Sequence, residues 1–500
     1  MKQSLDFKFQ YADENGNETY LGLSEDDFNT NPFSRYAASN NDKMTTDHTQ
    51  YMLTHHLGFS KNLTLTTTFY RNNFARNWYK LNDITFEGDQ QKISNILGDP
   101  TNYSDHFSIV NGTVNSSADA IAVKANNRSY YAQGMQTKLD YHWYTENLFH
   151  DLELGFRYHY DEEDRFQWID KYSISNTGVL TETTAGVPGT DANRISSAKA
   201  FASYITYKLK YQNWTFTPGV RYEDILLERK DFGKNDITRS GSDLNERENS
   251  VAIFIPGMGA NYKFNNDLSL FGGIHKGFSP PGNKEDEKAE ESINYELGTR
   301  FSLGKLKGEF VGFYNDYSNL LGSDIAATGG TGSLDQFNAG AVKVNGIELL
   351  LNYNMTSEAA RFSFPMSLGY TFTNTEFLNS FGSDDGLWGE VQSGDELPYI
   401  ARHQFNTSIS LEHAKFELNL SGRLNGAFKT EASADAVNTA NGITSNFIID
   451  FVGKYHVTKT LSLSAKIINV LDETYAVAKV PAGLRPGHPF GIYGGLDFRF

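Results

Sequence analysis

Along nearly the whole chain, apolar and polar residues alternate over runs of about ten positions, the two-residue period of strands whose faces meet different surroundings. The first run sets Leu5, Phe7, Phe9 and Tyr11 against Asp6, Lys8 and Gln10. Leu152, Leu154, Phe156, Tyr158 and Tyr160 alternate with Glu153, Arg157, His159 and Asp161, and Trp214, Phe216, Val220 and Tyr222 with Thr215, Thr217, Arg221 and Glu223. The pattern returns in Ile293, Tyr295, Leu297, Phe301 and Leu303, then in Phe364, Met366, Leu368, Tyr370 and Phe372. About 18 such segments are predicted, each close to the roughly ten residues of a tilted membrane strand. Helical periodicity is nearly absent.

The connections alternate in length. Ser60-Lys61-Asn62, Gln212-Asn213, Asn265-Asn266-Asp267, His413-Ala414 and Thr458-Lys459-Thr460 read as tight turns. Long polar links are expected near 13–46, 72–133, 162–197, 225–248, 319–339, 376–396, 426–443 and 472–488. Short turns on one rim and long loops on the other match outer-membrane barrels, whose loops face outward. A propeller or sandwich needs no such asymmetry. The last strand is expected to carry Phe490, Ile492, Leu496, Phe498 and the terminal Phe500 on alternate positions. Tyrosines and tryptophans such as Trp143, Tyr144, Tyr207 and Trp214 sit at strand ends, as aromatic girdles would. Arg157, Arg221, Glu223, Glu296, Arg300, Glu348, Asp450 and Lys454 would face a wet lumen and pair across strands.

Composition narrows the choices. No stretch approaches the roughly 18 uninterrupted apolar residues of a transmembrane helix, so a closed barrel is the remaining way to span lipid with every backbone group satisfied. A formal net charge of -17 argues against nucleic acid as a partner, because neutralising phosphates needs clustered Lys and Arg. Cysteine is absent, which excludes disulfides, thiolate metal sites and cysteine nucleophiles. No metal or cofactor site is expected. The first residues begin directly with alternation and lack the apolar run of a secretory signal.

Several stretches resemble TonB-dependent receptors. Lys276-Gly277-Phe278-Ser279-Pro280-Pro281 looks like that family's aromatic-Pro-Pro turn, followed by Asn294-Tyr295-Glu296-Leu297-Gly298-Thr299-Arg300. Gly346-Ile347-Glu348-Leu349, Asn469-Val470-Leu471-Asp472-Glu473-Thr474-Tyr475 and Arg485-Pro486-Gly487-His488-Pro489-Phe490 continue the resemblance in the same order. In the N-terminal half, Glu18-Thr19-Tyr20-Leu21-Gly22-Leu23, Asn31-Pro32-Phe33-Ser34-Arg35-Tyr36-Ala37 and Phe74-Ala75-Arg76-Asn77-Trp78-Tyr79-Lys80-Leu81 are similar to the ferric-dicitrate-type branch. The resemblance implies an all-β, antiparallel up-and-down transmembrane barrel in the bacterial outer membrane. It also implies uptake of an iron chelate, powered by the TonB complex through an N-terminal box and plug. Neither box nor plug is recognisable here. Against a family barrel of about 22 strands, the reading expects a C-terminal barrel portion lacking the plug and about four first strands, from a truncated gene or fragment.

For the ligand, the stretch from Arg71 through Arg76 and Tyr79 to Lys80 is cationic without an acid in an otherwise acidic chain. Arginine forks grip carboxylates in bidentate fashion, which suits an anionic ferric-citrate-like complex. The plainer reading is a strand end whose cations meet lipopolysaccharide phosphates or loop carboxylates. His275, Lys276 and Arg485 are further candidates, whereas His55 and His56 point to opposite faces and cannot chelate one metal. A passive porin of 16 to 18 strands is the alternative function. An enzyme is not expected, since neither G-x-S-x-G nor H-E-x-x-H occurs, and a soluble glycan-binding β-protein is a distant third.

Overall fold

The computed structural model describes residues 2–323, 336–356, 361–382, 390–439 and 441–499. Phe500 and parts of the links 319–339, 376–396 and 426–443 lie outside the described residues. The main sheet has 20 strands, two of which are the short arms Asp89–Lys92 and Leu180–Thr184. The other 18 form one antiparallel wall in chain order. Its first half comprises β1 (Lys2–Gly16), β2 (Lys43–Gly58), β3 (Leu63–Phe86), β4 (Ile121–Thr145), β5 (Leu148–Ile174), β6 (Ala192–Tyr211), β7 (Trp214–Asp231), β8 (Asn245–Lys263) and β9 (Leu268–Ser279). The second comprises β10 (Glu290–Leu303), β11 (Leu306–Ser323), β12 (Gln336–Asn354), β13 (Pro365–Phe377), β14 (His403–His413), β15 (Phe416–Asn425), β16 (Asn446–His456), β17 (Leu461–Ile468) and β18 (Gly491–Phe498).

Alternation decides which face is which. Phe7 of β1, Phe254 and Met258 of β8 and Leu496 of β18 are 68, 65, 54 and 66% exposed. Large apolar side chains exposed at alternate positions in strand after strand need an apolar surrounding, so this is the lipid-facing surface of a barrel. The opposite face carries pairs such as Lys138 with Glu153 and Lys454 with Asp497, both at 3.1 Å, and Arg300 with Glu309. Trp143, His150, Trp214 and Tyr262 gather near the short-turn rim, with Trp143 on His150 at 4.7 Å and Trp214 on Tyr262 at 4.6 Å between ring centroids.

Three expectations need correction. The links expected at 72–133 and 162–197 are largely strand, because β3, β4 and β5 run 24, 25 and 27 residues, well past what a bilayer requires. Beyond the lipid both faces are wet, so the ladder continues without the alternation that would reveal it. Phe490 precedes β18 rather than belonging to it, and its N–H donates to Asp472 Oδ1. Finally, the links are not featureless. Helices α1 (Glu25–Thr30), α2 (Ile93–Gly98) and α3 (Ser104–Asn111) bring Phe28, Ile96, Leu97 and Val110 into one buried cluster with Leu23, Leu81, Ile121 and Ala482.

That cluster ties the first long link to the last one. Leu23 and Leu484 exchange backbone bonds of 2.8 and 2.7 Å, and Gly22 N–H donates to Ala482 O. A Cβ on Gly22 would sit 2.2 Å from Gly483 O, so only glycine permits this approach. The wall beneath has two free edges: among the described residues β1 pairs only with β2, and β18 only with β17.

Candidate functional site

Register assembles the site from residues far apart in sequence. Arg76 of β3 lies directly opposite Arg128 of β4, Arg128 opposite Arg165 of β5, and Arg165 opposite Arg194 of β6. Directly paired residues share a face. Phe69, Tyr158 and Phe201, each seven positions away on its strand, are 49, 50 and 37% exposed on the lipid-facing side. An odd separation puts the arginines on the other side, so the four guanidinium groups form one inward row.

Like charges directly opposite one another destabilise a sheet. Glu163 relieves part of this, lying 3.1 Å from Arg128 Nη1 and 2.8 Å from Arg165 Nε. The latter contact is too poorly aligned to be a hydrogen bond, so Arg165 Nε is buried without one. Arg128 also donates to Asn126 Oδ1 at 2.9 Å. Arg76 closes the row half-buried, with no hydrogen-bond or ion-pair partner among the described residues. Further along the same face, Lys80 stands opposite Lys124, which pairs with Asp191 at 2.7 Å. Lys80 is buried, its Nζ 3.9 Å from the Tyr20 ring centroid.

A cavity of about 460 Å³ lies against the row. Phe74, Tyr130, Ser196 and Leu227 line it from adjacent strands together with the acids Asp161, Glu162 and Glu163, none of the four arginines lines it, and Gly282 and Asn283 close it from the link after β9. Asn249 of β8 holds that link inward, its Nδ2 donating to Gly282 O at 2.9 Å and Glu287 O at 3.0 Å. Further down the same face Tyr70 and His159 Nδ1 are 2.6 Å apart, His159 Nε2 is 3.0 Å from Asp161 Oδ2, and Arg157 Nε donates to the Tyr70 oxygen. Gly134 makes room for this chain, since a Cβ there would meet the Tyr70 hydroxyl at 2.5 Å.

The sequence-predicted residues divide between faces. Arg76 and Lys80 are inward. Arg71 is on the other face, its guanidinium 4.7 Å from the Tyr131 ring centroid and hydrogen-bonded to Gln133 and Asn73. Tyr79 likewise lies off the row, donating to Asp170 Oδ2 at 2.6 Å. The cationic stretch is therefore not one cluster: the pleat separates odd from even positions. His275 and Lys276 are similarly split, His275 bonding Asn294 and Lys276 pairing with Glu291 at 2.8 Å. Arg485 sits in the last link with Nη2 donating to Val480 O. His55 and His56 face opposite ways as predicted, His56 bonding Thr66. Sequence reasoning missed Arg128, Arg165 and Arg194; counting by twos from Gly134 and His159 would have found the first two.

A buried carboxyl joins the first long link to the wall. Asp42, buried in the first long link, accepts from Thr19 Oγ1 at 2.6 Å and Leu81 N–H at 2.7 Å. Burial pushes its carboxyl up to about 7, against those two hydrogen bonds and the Lys80 charge. Unfolded, it would titrate near 3.8, so between about pH 4 and 7 the folded state holds the extra proton and stability falls as pH rises. Hydrogen exchange across 19–42, corrected for intrinsic rate, is expected to be faster at pH 8 than at pH 5.5. Asp42→Asn should flatten the difference, and a difference that survives this substitution would point to another group.

Comparisons with known proteins agree with this architecture. A family model described as TonB dependent receptor-like, beta-barrel matches residues 2–470. The vitamin B12 transporter BtuB of Photobacterium profundum is 22% identical over 279 residues, and the ferrienterobactin receptor of Escherichia coli is 24% identical over 326. These alignments cover 56 and 60% of this chain but only 40 and 41% of the relatives, so the chain spans well under half of their length. The crystal structure of the unliganded ferric citrate transporter FecA superposes with a TM-score of 0.73 at 17% identity, covering 100% of this chain and 68% of that one.

Proposed function

Because the chain belongs to the TonB-dependent receptor-like β-barrel family and lies in the bacterial outer membrane, we propose that it is the wall of a receptor that takes up an anionic iron chelate, ferric-citrate-like in charge. The observation that carries this reading is the inward arginine row in a chain of net charge -17. Local rules are broken chiefly where function demands it, and four opposed arginines break one. The relatives are named as transporters and receptors, which supports uptake over a passive channel and over an enzyme.

The free edges support a larger barrel. β1 runs toward the long-link rim and β18 away from it, so an even number of further strands keeps the ladder antiparallel; about four would complete a barrel of roughly 22. We assign those strands, a plug and the TonB-contacting box to a preceding part of the receptor, through which the TonB complex would act. Lipid and lipopolysaccharide would surround the outward face.

In the complete receptor, Arg76→Ala removes a charge-assisted fork that contributes about 1.5–3 kcal/mol, so ferric citrate should bind roughly tenfold to a hundredfold more weakly. Arg76→Lys should recover only part, because a point charge cannot reproduce the fork. Titration of purified receptor decides: no saturable binding, or equal affinity in wild type and Arg76→Ala, rejects the citrate assignment.

A further inference from the structure

We propose that the cavity closed by Gly282 and Asn283 is a subsite for a primary ammonium group on an apolar stem, with Asp161 as its counter-ion. The inference goes beyond the uptake reading and does not rest on it. Register puts Asn72, Ala132, Asp161, Ala198 and Leu227 on one inward rung across β3 to β7, and all five line the cavity. Asp161 therefore stands between two alanines. Inward acids elsewhere on the wall have a cation on a neighbouring strand, as Glu153 has Lys138 at 3.1 Å, Glu163 has Arg128 at 3.1 Å and Glu309 has Arg300. Ala132 and Ala198 supply none, and their small side chains leave the space that a cation would fill. Asp161 lies 3.0 Å from His159 Nε2 on its own strand and has no other hydrogen-bond or ion-pair partner among the described residues. Asn72 Oδ1, on the same rung, is buried with no hydrogen bond. A carboxylate without a cross-strand cation and an acceptor without a donor are both completed by an ammonium, which has three donors and no acceptor. Phe74 and Tyr130, two residues along, are 5.8 Å apart between ring centroids, and aromatic faces within about 6 Å attract such a cation. With Leu227 they give the stem an apolar wall. The other two acids at the cavity are engaged: Glu162 accepts from the Tyr160 hydroxyl at 2.8 Å, and Glu163 bridges Arg128 and Arg165. Those arginines are four residues from the Asp161 rung, about 13 Å along the strands, which exceeds the Debye length of about 8 Å at physiological ionic strength. A metal ion is the poorer occupant, because a hard cation takes about six to eight oxygens and among the described residues no group of three or more His, Cys, Asp or Glu could hold one. The volume, about 460 Å³, falls in the range of small-ligand sites.

Isothermal titration of the full-length protein in uncharged maltoside micelles compares benzylammonium with two molecules of the same shape, neutral benzyl alcohol and anionic benzoate. Benzylammonium should bind saturably and about tenfold more tightly than benzyl alcohol, and benzoate in about tenfold excess should not displace it. Asp161→Asn should weaken binding about tenfold; the amide oxygen can still accept from His159, so the charge is removed while that contact is kept. Phe74→Leu, which keeps an apolar side chain and removes the ring, should weaken it about threefold. Ala198→Lys sets an ammonium on the strand beside Asp161 and should abolish binding by occupying the space itself. Thermal unfolding of each variant is measured in parallel, and if Asp161→Asn does not fold, Ala198→Lys decides. Absence of saturable benzylammonium binding, its displacement by benzoate at equal concentration, or unchanged affinity in folded Asp161→Asn or Ala198→Lys overturns the subsite.

Discussion

Met258→Arg is expected to destabilise the membrane-inserted protein by about 2–4 kcal/mol, the cost of a lipid-facing cation near the bilayer midplane. Met258 is 54% exposed on the outward face of β8. It lies five residues above the end of β8 at Lys263, which at about 3.4 Å per residue and a tilt near 45° is about 12 Å, near the middle of an apolar band about 25 Å tall. Asn261→Arg, an odd number of positions away on the same strand and facing inward, should cost less than about 1 kcal/mol because the charge stays in water. Urea titration of folding into lipid vesicles compares them directly. Equal costs for the two substitutions would mean that the apolar face does not meet lipid.

Asn469→Ala is expected to cost about 3 kcal/mol and to loosen the whole last link. Asn469 is fully buried in a left-handed conformation, φ 52°, which asparagine tolerates better than alanine. Its Nδ2 donates to Glu473 O at 2.9 Å and His488 O at 3.0 Å, and its Oδ1 accepts from Glu473 N–H at 2.9 Å. Asp472, also left-handed at φ 51°, accepts the Phe490 N–H just before β18. The Asn-Val-Leu-Asp-Glu-Thr-Tyr stretch is thus a clasp that closes the link ahead of the final strand. Asn469→Asp should fare little better, since a carboxylate cannot donate to two carbonyls. Hydrogen exchange through 469–490 reports the loosening, and unchanged protection in Asn469→Ala would show that other contacts hold the link.

The wall was legible because lipid on one side and water on the other impose a two-residue period. Leu5, Phe7 and Phe9 announce β1 for that reason, and the short turns at Gln212 and Asn265 are where the pattern stops and restarts. The upper halves of β3 to β6 were not legible. Around Asn126-Asn127-Arg128 both faces are polar, so the alternation vanishes although the backbone ladder continues. The arginine row lies within those stretches, which is why only Arg76 of its four members stood out. Proximity along the chain then misled, joining Arg71 to Arg76 although the pleat sends them to opposite faces. Helices of 6 to 8 residues such as α1 and α3 are likewise too short for a 3.6-residue period to declare itself.

The chain contains no cysteine, so single cysteines introduced from 251 to 263 can each carry one spin label in vesicles without competing thiols. Collision with oxygen, which concentrates in lipid, and with a water-soluble nickel chelate should both vary with period two along β8 and in opposite phase. Oxygen should peak at Phe254 and Met258, and nickel at Gly257, Gly259 and Asn261. Labels reached equally by nickel at every position, or a period near 3.6, would contradict the lipid-embedded wall.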